Sequence, residues 1–158
     1  MSANTMKATM KTTTKTIRAL PLCAALLAAA CTAAPPPTLY ERLGQRPGLE
    51  AMVADAIGRI STDRRINARF ANLSSAPAAS KALMDNLVDL ICERAGGPCV
   101  YRGLNMAAAH EGMNISDAEF DALVEDIGAA LAHQRVADAD RAEALQQLQR
   151  MRGAIVAH

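Results

Sequence analysis

His110 is the residue in this sequence whose setting most strongly suggests chemistry. Met106 precedes it by four residues and Met113 follows it by three. On a helix these three side chains would share one apolar face. A histidine on such a face is usually a core residue whose ring nitrogens are hydrogen-bonded. The alternative is that it is a ligand, and both interpretations stay open on this stretch alone.

Several kinds of site are excluded by spacing. No nucleophile and orienting acid are placed for a hydrolytic triad. No histidine or cysteine lies close enough to His110 to form a zinc site, and His133 and His158 come late in the chain. The sequence also lacks the CxxCH motif that attaches haem covalently. Non-covalent haem differs from these, because a single histidine can hold its iron while apolar side chains grip the macrocycle.

Composition limits the elements that can position this histidine. The chain has 158 residues, of which 51% are hydrophobic and only 3% aromatic, with no tryptophan. A core built from Ala, Leu, Ile, Val and Met favours helices over strands. After residue 30 the chain holds 13 of the 17 basic and all 16 acidic residues. This slightly acidic body gives no reason to expect nucleic-acid binding.

The N-terminal residues 1–30 have the pattern of a secretory signal peptide. Four basic residues and no acidic ones precede an apolar stretch that is too short for a stable membrane span. The stretch ends in small residues before Cys31 and resembles a bacterial lipobox, with Ala28 in place of the usual leucine. Lipidation of Cys31 would anchor the protein to a membrane. Cleavage after an Ala-x-Ala site, with release into the periplasm, is the alternative.

The two remaining cysteines are Cys92 and Cys99. In an oxidising compartment an even pair can form a disulfide, and a short-loop bond is geometrically possible here. Two free thiols, with Cys92 buried, is the alternative.

The rest of the chain predicts an all-α domain of about six helices over residues 39–156, after a Pro-rich tether at 31–38. We expect a Gly/Pro turn at 44–48, and then a helix with an apolar stripe. Ser80 is predicted to cap a helix over 81–95, which Gly96-Gly97-Pro98 would end. A short helix carries His110, Ser116 and Glu119 form a capping box, and a final helix is expected over about 139–155.

At this point the residues resemble a known family. The pattern is Phe70, Gly96-Gly97-Pro98, Tyr101-x-Gly103, Met106, His110-x-Gly112 and Ile115-Ser116. It is similar to the group I truncated globins, and the similarity covers about 39–156. The resemblance implies a two-over-two helical sandwich with b-type haem, in which His110 is the proximal iron ligand.

The resemblance also implies which residues surround the haem. On the proximal side, that of the iron-ligating histidine, these are Met106, Ile115, Phe120 and Val124. On the opposite, distal side they are Ile57, Leu83 and Leu87. Phe70 would pack on the haem face, and Tyr101 marks the loop between the two sides. Lys81 and Arg102 are candidate partners of the haem propionates on charge and position alone, and solvated surface charge is the alternative.

This chain departs from the family on the distal side. Group I members usually have tyrosine where Ile57 stands and often glutamine where Leu87 stands, and their paired glycine is Gly44-Gln45 here. A buried donor to polarised dioxygen is worth roughly 1–3 kcal/mol, or about 5- to 150-fold in retention. We therefore expect fast O₂ release and a smaller effect on CO. Asn86 or Tyr101 could supply a donor instead.

The function predicted from the sequence is that of an exported haem protein that binds O₂ or another diatomic gas such as NO or CO. We expect a gas binder more than an enzyme, because the apolar pocket has no acid–base group for peroxidase chemistry. NO dioxygenation ranks lower, since it needs stable O₂ and a separate, unknown reductase. The alternative is a small helical lipoprotein that acts as a structural or interaction module, in which His110 is merely packed.

Overall fold

The computed structural model describes residues 34–73 and 75–156. Six α-helices follow one another there, with a 3-10 helix at Asn67–Leu73 and another at Arg152–Ala154. The α-helices are α1 (Leu39–Arg42), α2 (Gln45–Ile60), α3 (Pro77–Arg94), α4 (Met106–His110), α5 (Asp117–His133) and α6 (Asp138–Gln149). The predicted signal peptide and Cys31 lie outside the described residues. Within the described ranges, no helix combines the length and apolar character that crossing a membrane requires.

Two pairs of helices form the sandwich. α2 packs on α3, α5 packs on α6, and the contact between α2 and α5 joins the pairs. α2 supplies four of the buried core residues, more than any other helix, because they recur on one face of it at helical spacing. The main core buries these residues: Leu39, Leu43, Leu49, Met52, Val53, Ala56, Val88, Cys92, Ala95, Ala130 and Leu131. The prediction of an all-α, two-over-two fold is confirmed.

The predicted turn at 44–48 is wrong in extent, because α2 already begins at Gln45. Pro47 is tolerated there since the first turn of a helix does not use its backbone N–H groups. Gly48 lies against α1, and a Cβ atom at this position would sit 2.0 Å from the carbonyl oxygen of Leu43. The glycine therefore permits close helix packing rather than a turn.

The prediction that Ser80 caps the third helix is also wrong. α3 begins three residues earlier, at Pro77, whose fixed φ suits the first helical position. The backbone N–H of Ser80 donates to the carbonyl oxygen of Ala76 at 2.9 Å and so lies inside the helix.

α3 ends at the glycine pair, as predicted. Gly96 has a φ of +79°, which favours glycine. Cys92 and Cys99 form a disulfide with a Cα–Cα distance of 5.7 Å. Gly97 gives it room, because a Cβ there would lie 2.6 Å from the Cys92 sulfur. The bond joins the end of α3 to the loop that leads to α4.

The last helix is shorter than predicted. α6 ends at Gln149, and the chain continues as the 3-10 helix Arg152–Ala154, a common way for the final turn of a helix to tighten. Beyond it, Val156 forms an isolated parallel bridge with Ile115, which lies two residues before the start of α5. The segment around Val156 thus contacts the loop just before α5.

Candidate functional site

α4 is a single short helix that presents His110 at its C-terminal end. Asn105 caps it, since its side-chain oxygen accepts a hydrogen bond from the Ala108 N–H at 2.9 Å. The Nδ1 atom of half-buried His110 lies 2.7 Å from the carbonyl oxygen of Met106. A carbonyl only accepts, so Nδ1 carries the proton and the lone pair of Nε2 is left free. A hydrogen bond of this kind, from the ring nitrogen that does not bind the metal, orients histidines that bind metals.

The apolar residues that the resemblance implies come from five different segments. They lie on α2, the 3-10 helix 67–73, α3, α4, and the first half of α5 together with the loop that leads to it. Most of them are half-buried, as expected for walls that face a ligand: Ile57, Phe70, Leu83, Leu87, Met106, Ile115 and Val124. Apolar walls with few polar groups are typical of cofactor sites.

The residues predicted for the distal side are held by apolar packing. Ile57 on α2 and Leu87 on α3 both pack against the main core, with Met84 and Ile91 beside them. The polar groups of α2 nearest to Ile57 in sequence are engaged with each other. Asp55 forms an ion pair with Arg59, and its carboxylate lies 3.1 Å from Nδ1 of His133.

Phe70 and Phe120 have different environments. Phe70 packs with Leu123 against the small cluster of Ile60, Ile66 and Ala122. Phe120 is only 1% exposed. The guanidinium of Arg152 lies 4.5 Å from the centre of its ring, and this cation–π contact fixes Phe120 from the C-terminal segment.

The loop between the two sides is organised by Tyr101, whose hydroxyl donates to the carbonyl oxygen of Leu104 at 2.8 Å. Behind this loop a cavity of about 410 Å³ extends between α3, α4 and the C-terminal segment. Leu90, Met106 and Met151 give it apolar walls, and Arg94 and Arg150 lie at its edge.

The two candidate propionate partners are both exposed. Lys81 forms an ion pair with Asp85 one turn along α3, at 2.6 Å. Arg102 lies in the loop after the disulfide. Their predicted role toward haem stays a prediction.

One further group at the site was missed by sequence reasoning. Arg69, next to Phe70, binds the carboxylate of Glu119 through Nε at 2.7 Å and Nη2 at 3.1 Å. This pairing, together with hydrogen bonds from Ser116, lowers the pKa of Glu119 to about 2. The capping role of Glu119 was visible as a Ser-x-x-Glu motif, but a partner 50 residues away leaves no local signal.

No group of three histidine, cysteine or acidic side chains that could hold a metal ion on its own occurs in residues 34–73 and 75–156. The metal chemistry open to these side chains is therefore that of a single histidine. His110 would fit an iron whose remaining protein-independent ligands are supplied by a macrocycle.

Comparisons with known proteins agree with this geometry. A family model described as bacterial-like globin matches residues 38–157. A group 1 truncated hemoglobin from Tetrahymena thermophila is 34% identical over 116 residues, covering 73% of this chain and 92% of that protein. One from Nostoc sp. is 32% identical over 119 residues, covering 75% and 97%. The ferric truncated hemoglobin of Tetrahymena pyriformis superposes with a TM-score of 0.71 at 30% identity, covering 77% of this chain and all of that one.

Proposed function

The chain belongs to the bacterial-like globin family, and on that premise we propose that it is a haem protein that binds a diatomic gas. The proposal assigns the iron to His110. The observation that carries it is the hydrogen bond from His110 Nδ1 to the Met106 carbonyl, because this bond leaves Nε2 as a free, oriented lone pair. When bound, haem supplies the iron at which a gas molecule is held.

The side chains around His110 suit a flat, largely apolar cofactor. Met106 precedes the histidine on α4, and Ile115 and Val124 follow it. For the other face of the cofactor, α3 offers Leu83 and Leu87. Such walls exclude water, and this protects reduced iron from oxidation and keeps competing ligands out.

The distal side sets the kind of gas binding that we propose. Ile57 and Leu87 carry no hydrogen-bond donor, and a polarised ligand such as O₂ would gain no stabilisation from them. CO is less polarised and depends less on such a donor. We therefore favour reversible binding, transport or sensing of a gas. NO scavenging ranks lower because it requires O₂ to be retained and a separate reductase.

We also propose that the protein is exported and anchored through lipidated Cys31. The basic and then apolar residues 1–30 and the small residues before Cys31 support this. So does the disulfide between Cys92 and Cys99, since such bonds persist mainly in oxidising compartments. Mass spectrometry of the mature N-terminus would test it. A diacylglyceryl-modified Cys31 is expected, and an unmodified N-terminus after Ala30 would indicate release instead.

Absorption spectra test the haem proposal. The purified or haemin-reconstituted protein is expected to show a Soret band that shifts on reduction and again on addition of CO. His110→Ala should abolish or greatly loosen haem binding. His133→Ala is the matched control, because His133 is exposed and bound to Asp55 on the outside of α2, and its spectra should match those of the wild type.

A folded protein that stays colourless with added haemin would contradict the proposal. It would favour the alternative, a helical lipoprotein that serves as an interaction module. If the wild type binds haem and the two histidine variants lose it equally, the protein is still a haem protein. His110 is then not the residue that holds its iron.

A further inference from the structure

The six residues that follow His110 and lead to α5 form an exposed loop. Gly112 has a φ of +75° and Asn114 a φ of +47°, so the chain turns sharply twice. Of the side chains at 111–116 only that of Ile115 is half-buried. Apolar packing therefore does little to hold this loop, and its position must come from hydrogen bonds.

Two contacts reach this loop from other parts of the fold: the backbone bridge between Ile115 and Val156, and side-chain hydrogen bonds from Arg69. Its Nη1 atom donates to the carbonyl oxygen of Met113 at 2.7 Å, and Nη2 donates to that of Asn114 at 3.4 Å. On its other side the same guanidinium grips the two carboxylate oxygens of Glu119. This is the planar, forked geometry that arginine offers and lysine does not.

Glu119, in the first turn of α5, completes the connection because its carboxylate also binds Ser116, the last residue of the loop. One carboxylate oxygen accepts from the Ser116 N–H at 2.9 Å and from the Ser116 hydroxyl at 2.8 Å. Arg69, Glu119 and Ser116 thus form a chain of charge-assisted bonds that ends at the first residues of α5. The pairing raises the pKa of Arg69 and lowers that of Glu119.

The location of Arg69 links both ends of the proposed haem site. It immediately precedes Phe70 on the 3-10 helix Asn67–Leu73, and the loop that it binds immediately follows His110. Arg65 offers a contrast from the same stretch of chain. It binds the carboxylates of Asp63 and Glu125, which lie away from the loop at 111–116.

From this geometry we propose that Arg69 is a positioning residue for His110. By holding the loop after α4 against the element that carries Phe70, it keeps the iron-ligating side closed and slows the loss of haem. The inference rests on the proposed haem function. It adds a residue that contacts neither the iron nor the gas.

Haemin transfer to excess apomyoglobin measures this role. Arg69→Gln is expected to speed haemin loss about tenfold, because two loop carbonyls and a carboxylate lose a charged partner. Arg69→Lys keeps the positive charge without the forked guanidinium, and its rate of haemin loss should lie between those of the wild type and Arg69→Gln. Arg65→Gln removes an equally charged ion-pair network elsewhere and should leave the rate within about twofold of the wild type.

Hydrogen exchange of the backbone amides at 111–116 gives a readout that does not require haem. In apoprotein and holoprotein alike, Arg69→Gln should speed exchange in this loop and leave α2 and α3 unchanged. A general acceleration across all helices would mean that Arg69 acts only on global stability, and this would overturn the proposal.

The outcomes separate the inference from its premise. If the wild type binds haem and Arg69→Gln loses it no faster than Arg65→Gln does, the positioning role is wrong and the haem function stands. If the wild type binds no haem, the proposed function fails and the role toward His110 falls with it, whatever the loop exchange shows.

Discussion

Apolar packing holds Ile57 and Leu87 on the proposed distal side, whereas hydrogen bonds and ion pairs hold the loop after His110 on the proposed proximal side. The distal residues belong to long helices whose inner faces merge with the main core. The proximal segment is a five-residue helix and an exposed loop, secured by Asn105, Arg69 and Glu119. A short segment cannot bury enough surface to hold itself, so it depends on directed polar contacts.

This difference separates two properties of the site. Substitutions on the distal side should change the rate at which a gas dissociates, with little effect on the rate of haem loss. Substitutions in the proximal network should do the opposite, and should also respond to pH and salt, because charges carry the contacts.

The largest effect is expected on the distal side. Ile57→Tyr or Leu87→Gln would supply a hydrogen-bond donor where the chain has none, and should slow O₂ dissociation by roughly 5- to 150-fold. Stopped-flow measurement of O₂ and CO release checks this, with CO expected to change much less. Rates of O₂ release that stay at the wild-type value in both variants would show that these side chains do not face the gas.

The disulfide lies where the two sides are joined, so its removal tests how far they depend on each other. For a loop of this length, the double variant Cys92→Ala/Cys99→Ala should lose about 2–3 kcal/mol in free energy of unfolding. Urea unfolding of the oxidised, reduced and double-variant proteins measures it. Dithiothreitol should destabilise the wild type and leave the double variant unchanged, and equal stability of oxidised and reduced wild type would contradict the expectation.

Acid should act on the proximal network through Glu119. The pKa of this carboxyl is about 2 in the folded protein against an ordinary 4.5. Its contribution to stability is therefore complete above pH 4.5 and is lost as the pH falls towards 2. Glu119→Gln can still cap α5 but cannot pair with Arg69 as a charge. Between pH 4.5 and 2 the melting temperature of the variant should fall less with pH than that of the wild type. Equal pH dependence of the two melting temperatures would count against the ion pair.

The smallest effect is expected at Asp126, also on α5. Desolvation, with the nearby Asp63, raises the pKa of this carboxyl, and its Oδ2 atom is buried without a hydrogen-bond partner. A raised pKa costs stability at neutral pH, and the cost fades as acid protonates the group. Asp126→Asn should thus raise the melting temperature slightly at pH 7 but not at pH 3. A lower melting temperature at pH 7 would mean that Asp126 has a partner in solution.

The fold could be predicted in outline because its signals are local. The glycine pair after α3, the capping box at Ser116 and the spacing of apolar residues each act within a few positions. Where prediction failed, a backbone feature within a few residues outweighed the signal that the pattern used. Gly48 is needed for the approach of α1 rather than for a turn, and Pro77 starts α3 ahead of the serine that had the better capping side chain.

The site divides in the same way. His110 and its short helix follow from local pattern together with the family resemblance. The roles of Arg69 and Glu119 towards each other, and of Arg152 over Phe120, depend on partners that lie 50 and 32 positions away. No periodicity or motif encodes such pairs, since they exist only once the helices are packed.

The disulfide has a consequence for the order in which the protein matures. Its two cysteines lie only seven positions apart in the sequence, and a loop this short closes on a timescale of about 10–100 ns. Closure needs the end of α3 and the turn after it, and neither α4 nor α5 takes part. Oxidation can therefore be complete while the half of the chain that carries His110 is still unfolded. A preparation with no free thiol is not thereby a preparation that has been loaded with its cofactor.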